Sequence, residues 1–305
     1  MQQTKKKNAF KRETTITLIV LMALPVLNWL IFWLYVNISS LALAVQHPKT
    51  GEFDLVNFRL LYNSITMVGG EIGIALRNTG LFFGVHLCIT LPLSLFIAFF
   101  LYKRVYGYGL YRVVFYLPAV IPSLVMVTAF KNFIDPRGPL GALMKWCGNP
   151  LPPEGLLART SSSVWVIVVY TIWTGFTTDV LLFTGGMARI PTEIIEAAKL
   201  DGCGPAREVV SIVLPLIWPT ISTQIVLLFT NIFSAGGPIL FLTNGKYETS
   251  TIAFWIFTQV YGNGQLGGTG SYNLVSCAGM SFTLISVPLI LGIRKLMSKV
   301  DAVEY

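Results

Sequence analysis

An all-α membrane protein with six transmembrane helices is the fold class this sequence predicts, on three observations. Of its 305 residues 54% are hydrophobic and 12% charged, with a mean hydropathy of +0.67; a soluble domain carries about 25% charge. Six apolar stretches each approach the roughly 20 residues that cross a bilayer. Lys and Arg are also divided unequally between the loops joining them. No polar stretch is long enough for a separate soluble domain. The expected organisation is a segment 1–15, a single transmembrane domain 16–295 and a tail 296–305. The longest polar interruptions lie near 39–75 and 236–270.

The first stretch, 16–38, follows five cations (Lys5, Lys6, Lys7, Lys11 and Arg12). It is too long for the apolar region of a signal peptide and has no small-residue cleavage site, so it reads as an uncleaved first span. Trp29, Trp33 and Tyr35 suit the membrane interface. The second stretch, 78–101, carries Gly80 and Gly84 at the spacing of a helix-packing face. The others are 112–133, 162–185, 212–242 and 272–293. Pro25, Pro92, Pro118, Pro122, Pro215 and Pro288 are compatible with them, because neighbouring helices and water satisfy the freed carbonyls. Fourteen of the 22 Lys and Arg fall before the first span, in 102–112, in 187–210 and after the sixth span. The positive-inside rule then places both termini and the 187–210 loop in the cytoplasm.

Four scattered cysteines predict no disulfide, and two distant histidines, His47 and His86, offer no metal spacing. No catalytic, cofactor or metal site is expected. Gly262, Gly264 and Gly267 fit G-x-G-x-x-G but lack a βαβ context and read as a turn.

The loop at 187–210 is the most informative segment. Ile190-Pro191-Thr192-Glu193 predicts a helix start, with Pro in the first turn, Thr as cap and Glu at the positive dipole end. The helix continues to Leu200 and breaks at Asp201-Gly202, since Gly takes the left-handed conformation that ends helices. Gly204-Pro205 opens a second helix running into the fifth span. Two helical turns are unstable alone, so the first helix is held by the protein body or by a partner. The small pair Ala197-Ala198 permits close approach of another surface; a solvated connector is the alternative.

These residues resemble the EAA motif of ATP-binding-cassette (ABC) importer permeases. The match lies at Glu196, Ala197, Ala198, Asp201, Gly202, Ile212, Leu214 and Pro215. Ile190-Pro191, Trp173, Asp135-Pro136 with Gly138, and Leu242-Thr243-Asn244-Gly245 are also similar to the family, across about 75–295. Cys203 and Val209 depart from the usual Ala and Phe. The chain looks most like the carbohydrate permeases of the maltose-type, binding-protein-dependent family. The resemblance implies a type I importer permease fold, with Glu196, Ala197, Ala198, Asp201 and Gly202 coupling the chain to an ATPase. It further implies a second six-span permease subunit, two ATPase subunits carrying ATP and Mg, an extracellular sugar-binding protein, and a bacterial or archaeal inner membrane. The chain has no G-x-x-x-x-G-K-[ST] phosphate loop of its own. Moving a two-state pathway from 1:99 to 99:1 takes about 5.5 kcal/mol of differential binding, and 192–209 is the cytoplasmic element with structure enough to carry it.

Candidate pathway residues follow from polarity inside the spans. Asp179 costs about 2.5–3.5 kcal/mol to insert, so it faces either a cavity or a hydrogen-bond partner on another helix. Asn231 and Ser234 in the fifth stretch, and Tyr272, Asn273 and Ser276 in the sixth, suit sugar hydroxyls and ring faces. Interhelical hydrogen bonds, worth about 0.6 kcal/mol each, are the alternative. A phosphorylated or acidic saccharide would favour a cationic pathway, and no Lys or Arg stands mid-span. A self-sufficient secondary transporter would show an inverted repeat; none is evident.

Overall fold

The computed structural model describes residues 2–67, 69–234, 238–261 and 269–299, without the side chains of 2–13, 16 and 269–271. The G-x-G-x-x-G match at 262–267 and the end of the tail, 300–305, lie outside the described residues. The described residues are helical apart from turns and one isolated bridge, Gln46 to Phe53. Four helices are long and apolar enough to cross a membrane: α1 (Thr17–Ala44), α3 (Glu71–Tyr102), α7 (Thr160–Met187) and the Tyr272–Met297 part of α13 (Thr269–Met297). Two bent pairs bring the possible spans to six. They are α4 (Tyr108–Val120) with the helical stretch from Ser123, bent by 109°, and α9 (Pro205–Leu216) with α10 (Trp218–Thr230), bent by 70°. Shorter helices are α2 (Val56–Thr66), α5 (Ser123–Ile134), α6 (Pro139–Trp146), α8 (Thr192–Leu200), α11 (Ile239–Leu242) and α12 (Ile252–Tyr261).

Several expected boundaries shift, each for a local reason. The stretch 112–133 is two helices, because Pro122 disfavours helical backbone at the residue before it and Ile121 is extended. The stretch 212–242 is broken at Ile217, which precedes Trp218-Pro219. Its second helix stops at Thr230, where Asn231 turns its amide back onto the carbonyl of Leu227. The second span starts earlier, at Glu71, and both polar interruptions contain helices (α2, α11 and α12). Pro92 and Pro215 sit inside helices. In each case the amide just before the proline, Leu91 or Leu214, reaches back five residues, to the carbonyl of His86 or Val209. A single widened turn thus absorbs the missing donor.

The described chain falls into two compact units, one formed by residues up to 62 with 269–281, the other by 63–261 with 282–299. In the first, the C-terminal carbonyls of α1 lack helical partners. Asn57 and Asn273 supply them. Asn57 Nδ2 donates to Ala44 O at 3.0 Å and Gln46 O at 2.8 Å, and Asn273 Nδ2 to Leu43 O at 2.8 Å and Gln46 O at 3.0 Å. The second unit is built on α3 against α7. One core joins Leu91, Phe99, Phe176, Phe183, Met187, Ile195, Val213 and Ile217; another joins Val127, Phe130, Ile134, Ile167, Ile239 and Phe254. The Asp135-Pro136-Arg137-Gly138 turn between α5 and α6 is tight enough to require glycine, since a Cβ on Gly138 would lie 2.1 Å from Asn132 O.

Candidate functional site

Two places in the second unit concentrate polar chemistry. The first is α8. It begins at Thr192 with Pro191 in the capping position, so Thr192 is a helical residue rather than the expected cap, and no side chain caps this end. Its other end closes as the sequence predicts. Gly202 has φ +76°, its amide donates to Lys199 O at 3.1 Å, and the Cys203 amide donates to Ala198 O at 2.9 Å. These two reversed bonds form a Schellman motif around a left-handed glycine.

Packing decides what α8 shows to solvent. Ile195 is buried in the core beneath the ends of α3 and α7, and Ile194 packs beside it. Glu193, Glu196, Ala197 and Leu200 form the outward face at helical spacing. Ala197 is exposed while Ala198 is half-buried, so only one of the paired alanines leaves room for an approaching surface. Leu200, 90% exposed at the tip, is an apolar residue the sequence reading did not single out. Asp201 and Gly202 are exposed.

Behind α8 lies an ion pair that sequence reasoning missed. Glu208, in the first turn of α9, is buried, and Lys103 at the end of α3 meets it. Lys103 Nζ sits 2.6 Å from Oε2 in good alignment and 2.5 Å from Oε1 in poorer alignment. Glu208 benefits from the positive end of its helix. The two residues are 105 positions apart, and nothing local in the sequence marks either.

The second place is the middle of α7. Asp179 is 1% exposed, and both its oxygens are occupied. His86 Nε2 donates to Oδ2 at 3.0 Å from α3, and Gln224 Nε2 donates to Oδ1 at 2.5 Å from α10. Asp179 therefore ties three helices together and makes no direct opening to a cavity. Its partner does. His86 lines a cavity of about 100 Å³ with Phe82, Phe83, Thr171, Leu228, Asn231 and Ile232. Asn231, an exposed residue, supplies the carboxamide in this lining. Eight residues separate Asp179 from Met187, so it lies about 12 Å from that end of α7.

The remaining pathway candidates divide. Ser234 is exposed just past Asn231, its amide bonded to Asn231 O at 3.0 Å. In the other unit, Asn273 is 4% exposed and spends both amide hydrogens on the end of α1. Tyr272 is exposed and Ser276 half-buried on the same helix.

Comparison with known proteins agrees with this architecture. The chain is 26% identical over 59% of its length to 59% of the probable ABC transporter permease protein YesP of Bacillus subtilis. It is 25% identical over 66% of its length to 68% of the multiple sugar-binding transport system permease protein MsmF of Streptococcus mutans. It also matches 39% of the maltose/maltodextrin transport system permease protein MalF of Klebsiella aerogenes, at 26% identity over 64% of this chain. The chain thus spans about 59 to 68% of the first two relatives and well under half of the third. Its fold superposes with a TM-score of 0.80 and 20% identity, over 96% of this chain and 99% of the other, on a chain from the crystal structure of a bacterial ABC transporter involved in the import of the acidic polysaccharide alginate. The family described as the binding-protein-dependent transport system inner membrane component matches residues 90–300, more than half of the sequence, and the chain belongs to that family of multi-pass inner-membrane proteins.

Proposed function

We propose that this chain is the permease subunit of an ATP-driven sugar importer and that α8 is its coupling helix. One observation carries the reading. The helix at 192–200 is anchored on one face by Ile195, stopped by Gly202, and exposed at Glu193, Glu196, Ala197 and Leu200, with Glu196 also at the edge of a neighbouring cleft. A two-turn helix held this firmly and left bare on one side suits the groove of a partner, here an ATPase. Glu196 and Asp201 are its polar anchors, Ala197 its point of closest approach and Leu200 its apolar contact. ATP and Mg belong to that partner, and this chain acts without a catalytic residue of its own. A second six-span permease, two ATPase subunits and an extracellular sugar-binding protein complete the assembly, with both termini and α8 in the cytoplasm.

The substrate passes the cavity of His86 and Asn231. An imidazole edge and a carboxamide offer hydrogen bonds to hydroxyls, and Phe82 and Phe83 offer apolar faces. Asp179 acts through His86 by fixing its ring. Two relatives are named for the sugars they transport, multiple sugars for the S. mutans protein and maltodextrins for the K. aerogenes protein. An acidic saccharide is the second reading. The alginate transporter shares the fold, and His86 is the one side chain in this cavity able to carry positive charge.

The test is to purify the tagged chain gently from its native membrane and identify its companions by mass spectrometry. Recovery of an ATPase and a second permease is the expected result, with the ATPase lost from Gly202→Arg or Leu200→Asp. A Cβ at Gly202 meets nothing within 4 Å, so the substitution acts through the left-handed backbone and the added charge rather than by crowding. A chain that purifies alone and still transports in liposomes would overturn the reading.

A further inference from the structure

A cleft of about 560 Å³ opens beside α8, between the turn that joins α3 to α4 and the C-terminal end of α7. Its charged lining is unbalanced. Lys103, Arg104, Arg112 and Lys199 face one carboxylate, Glu196. Lys103 is already neutralised by Glu208. No carboxylate among the described residues lies within 4.0 Å of Arg104, Arg112 or Lys199. Arg112 also lies over the Tyr116 ring, 5.7 Å from its centroid, which leaves its charge unneutralised. Three cations without a carboxylate partner on one concave surface attract an anion, and the hydroxyl of Tyr108 adds a donor. Arg104 is held at φ +50°, a left-handed backbone that disfavours side chains, yet the position carries a cation rather than glycine.

The depth of the cleft narrows the identity of that anion. α3 ends at Tyr102 and α4 begins at Tyr108, so the cations stand where apolar spans give way to water. Tyr108 and Arg112 lie on one face of α4. Leu110, Val113, Val114 and Leu117 form an exposed apolar stripe on the adjacent face, at the i, i+3, i+4, i+7 spacing. The stripe starts at the level of the cleft and runs about 10 Å along the helix. A basic pocket at a span end, continued by an uncovered apolar track, fits a molecule with a phosphate at one end and an acyl chain at the other.

We propose that this cleft binds the headgroup of an anionic phospholipid, with Arg104, Arg112 and Lys199 around the phosphate and an acyl chain along α4. Because Lys199 stands on α8, Arg104 on the α3–α4 turn and Arg112 on α4, the bound lipid bridges the short helix to the body. The lipid assignment does not rest on the coupling role of α8, although Glu196 belongs to both surfaces.

The experiment uses the full chain with whatever partners it retains, delipidated in mild detergent and examined by native mass spectrometry. The probes are dioctanoyl phosphatidylglycerol, dioctanoyl phosphatidylcholine and inorganic phosphate. The expected result is a phosphatidylglycerol adduct well above the phosphatidylcholine level and undisplaced by excess phosphate. Its affinity falls about thirtyfold in Arg104→Gln/Arg112→Gln, the factor that two arginines near a membrane surface contribute. Both side chains are exposed, so folding is expected to survive. Lys199→Gln, on the opposite wall, provides a second reading with about a fivefold loss. Arg137→Gln, remote and exposed, leaves the adduct unchanged. Equal adducts with both lipids, or full retention in the double variant and in Lys199→Gln, would overturn the proposal. Displacement by phosphate alone would assign the cleft to a soluble anion and overturn the lipid.

Discussion

Asp179 and Glu208 are the two buried carboxylates among the described residues, and they are buried in opposite ways. Asp179 lies within α7 and is met by His86 and Gln224, neither a permanent cation. Glu208 lies at the start of α9 and is met by the ammonium of Lys103. Removing a carboxylate from water costs several kcal/mol, and the mode of compensation fixes what the site can do afterwards. The Lys103–Glu208 pair is compensated by full charge and by a helix terminus, so it holds one geometry and acts as a latch between α3 and the connection that follows α8. The Asp179 site is compensated by hydrogen bonds from two side chains, with no permanent cation. One of its partners, His86, also lines the cavity, so a ligand there meets a hydrogen-bonded chain that it can perturb.

The largest expected effect separates the two. Lys103→Met leaves Glu208 buried beside a thioether, and losing one partner of a buried pair costs about 3 kcal/mol even with Lys103 partly solvated. A clear fall in the thermal midpoint of the purified protein checks it; an unchanged midpoint would mean that water reaches Glu208. Asp179→Asn is milder, at about 1–2 kcal/mol, since the carboxamide keeps one acceptor and mismatches one donor. Its signature is functional. With the ring of His86 no longer fixed, substrate uptake falls more than stability does, which parallel transport and melting measurements on the same preparation would reveal. Equal losses in both would make Asp179 a structural tie only.

The contrast also explains what the sequence could and could not disclose. Asp179 was legible because a lone carboxylate inside an apolar run violates the pattern around it, yet its partners stand 93 and 45 positions away, so tie and pathway looked alike. Glu208 was illegible because it sits in a polar connection, where a Glu between Arg207 and Val209 breaks no rule. The glycine stop of α8 was legible because a Schellman turn is local chemistry. The outward set of Glu193, Glu196, Ala197 and Leu200 was not, because Ile195 decides which face turns inward by packing on the distant α3. Helix breaks at Ile121 and Ile217 were underestimated for a related reason. Proline inside a membrane helix is tolerated at Pro92 and Pro215, where a widened turn absorbs it, and terminates the helix at Pro122, where the preceding residue becomes extended; apolar composition is the same in both cases.

The smallest expected change in stability is the most informative. Lys103→Met/Glu208→Met removes both charges of the latch and replaces them with flexible apolar side chains of similar length. Because a buried pair gains little net energy over an apolar substitute, the double variant is expected within about 1 kcal/mol of the parent, recovering most of what Lys103→Met alone loses. Stability and coupling then come apart. If the pair serves only to fill space between α3 and α9, uptake per ATP hydrolysed returns along with the melting temperature. If it fixes the position of α8 against the body, the apolar pair packs but no longer sets one geometry. In the importer assembly proposed above, ATP hydrolysis would then continue while uptake lags, and that ratio, measured beside the thermal midpoint, decides whether Glu208 is buried for stability or for the transmission of movement.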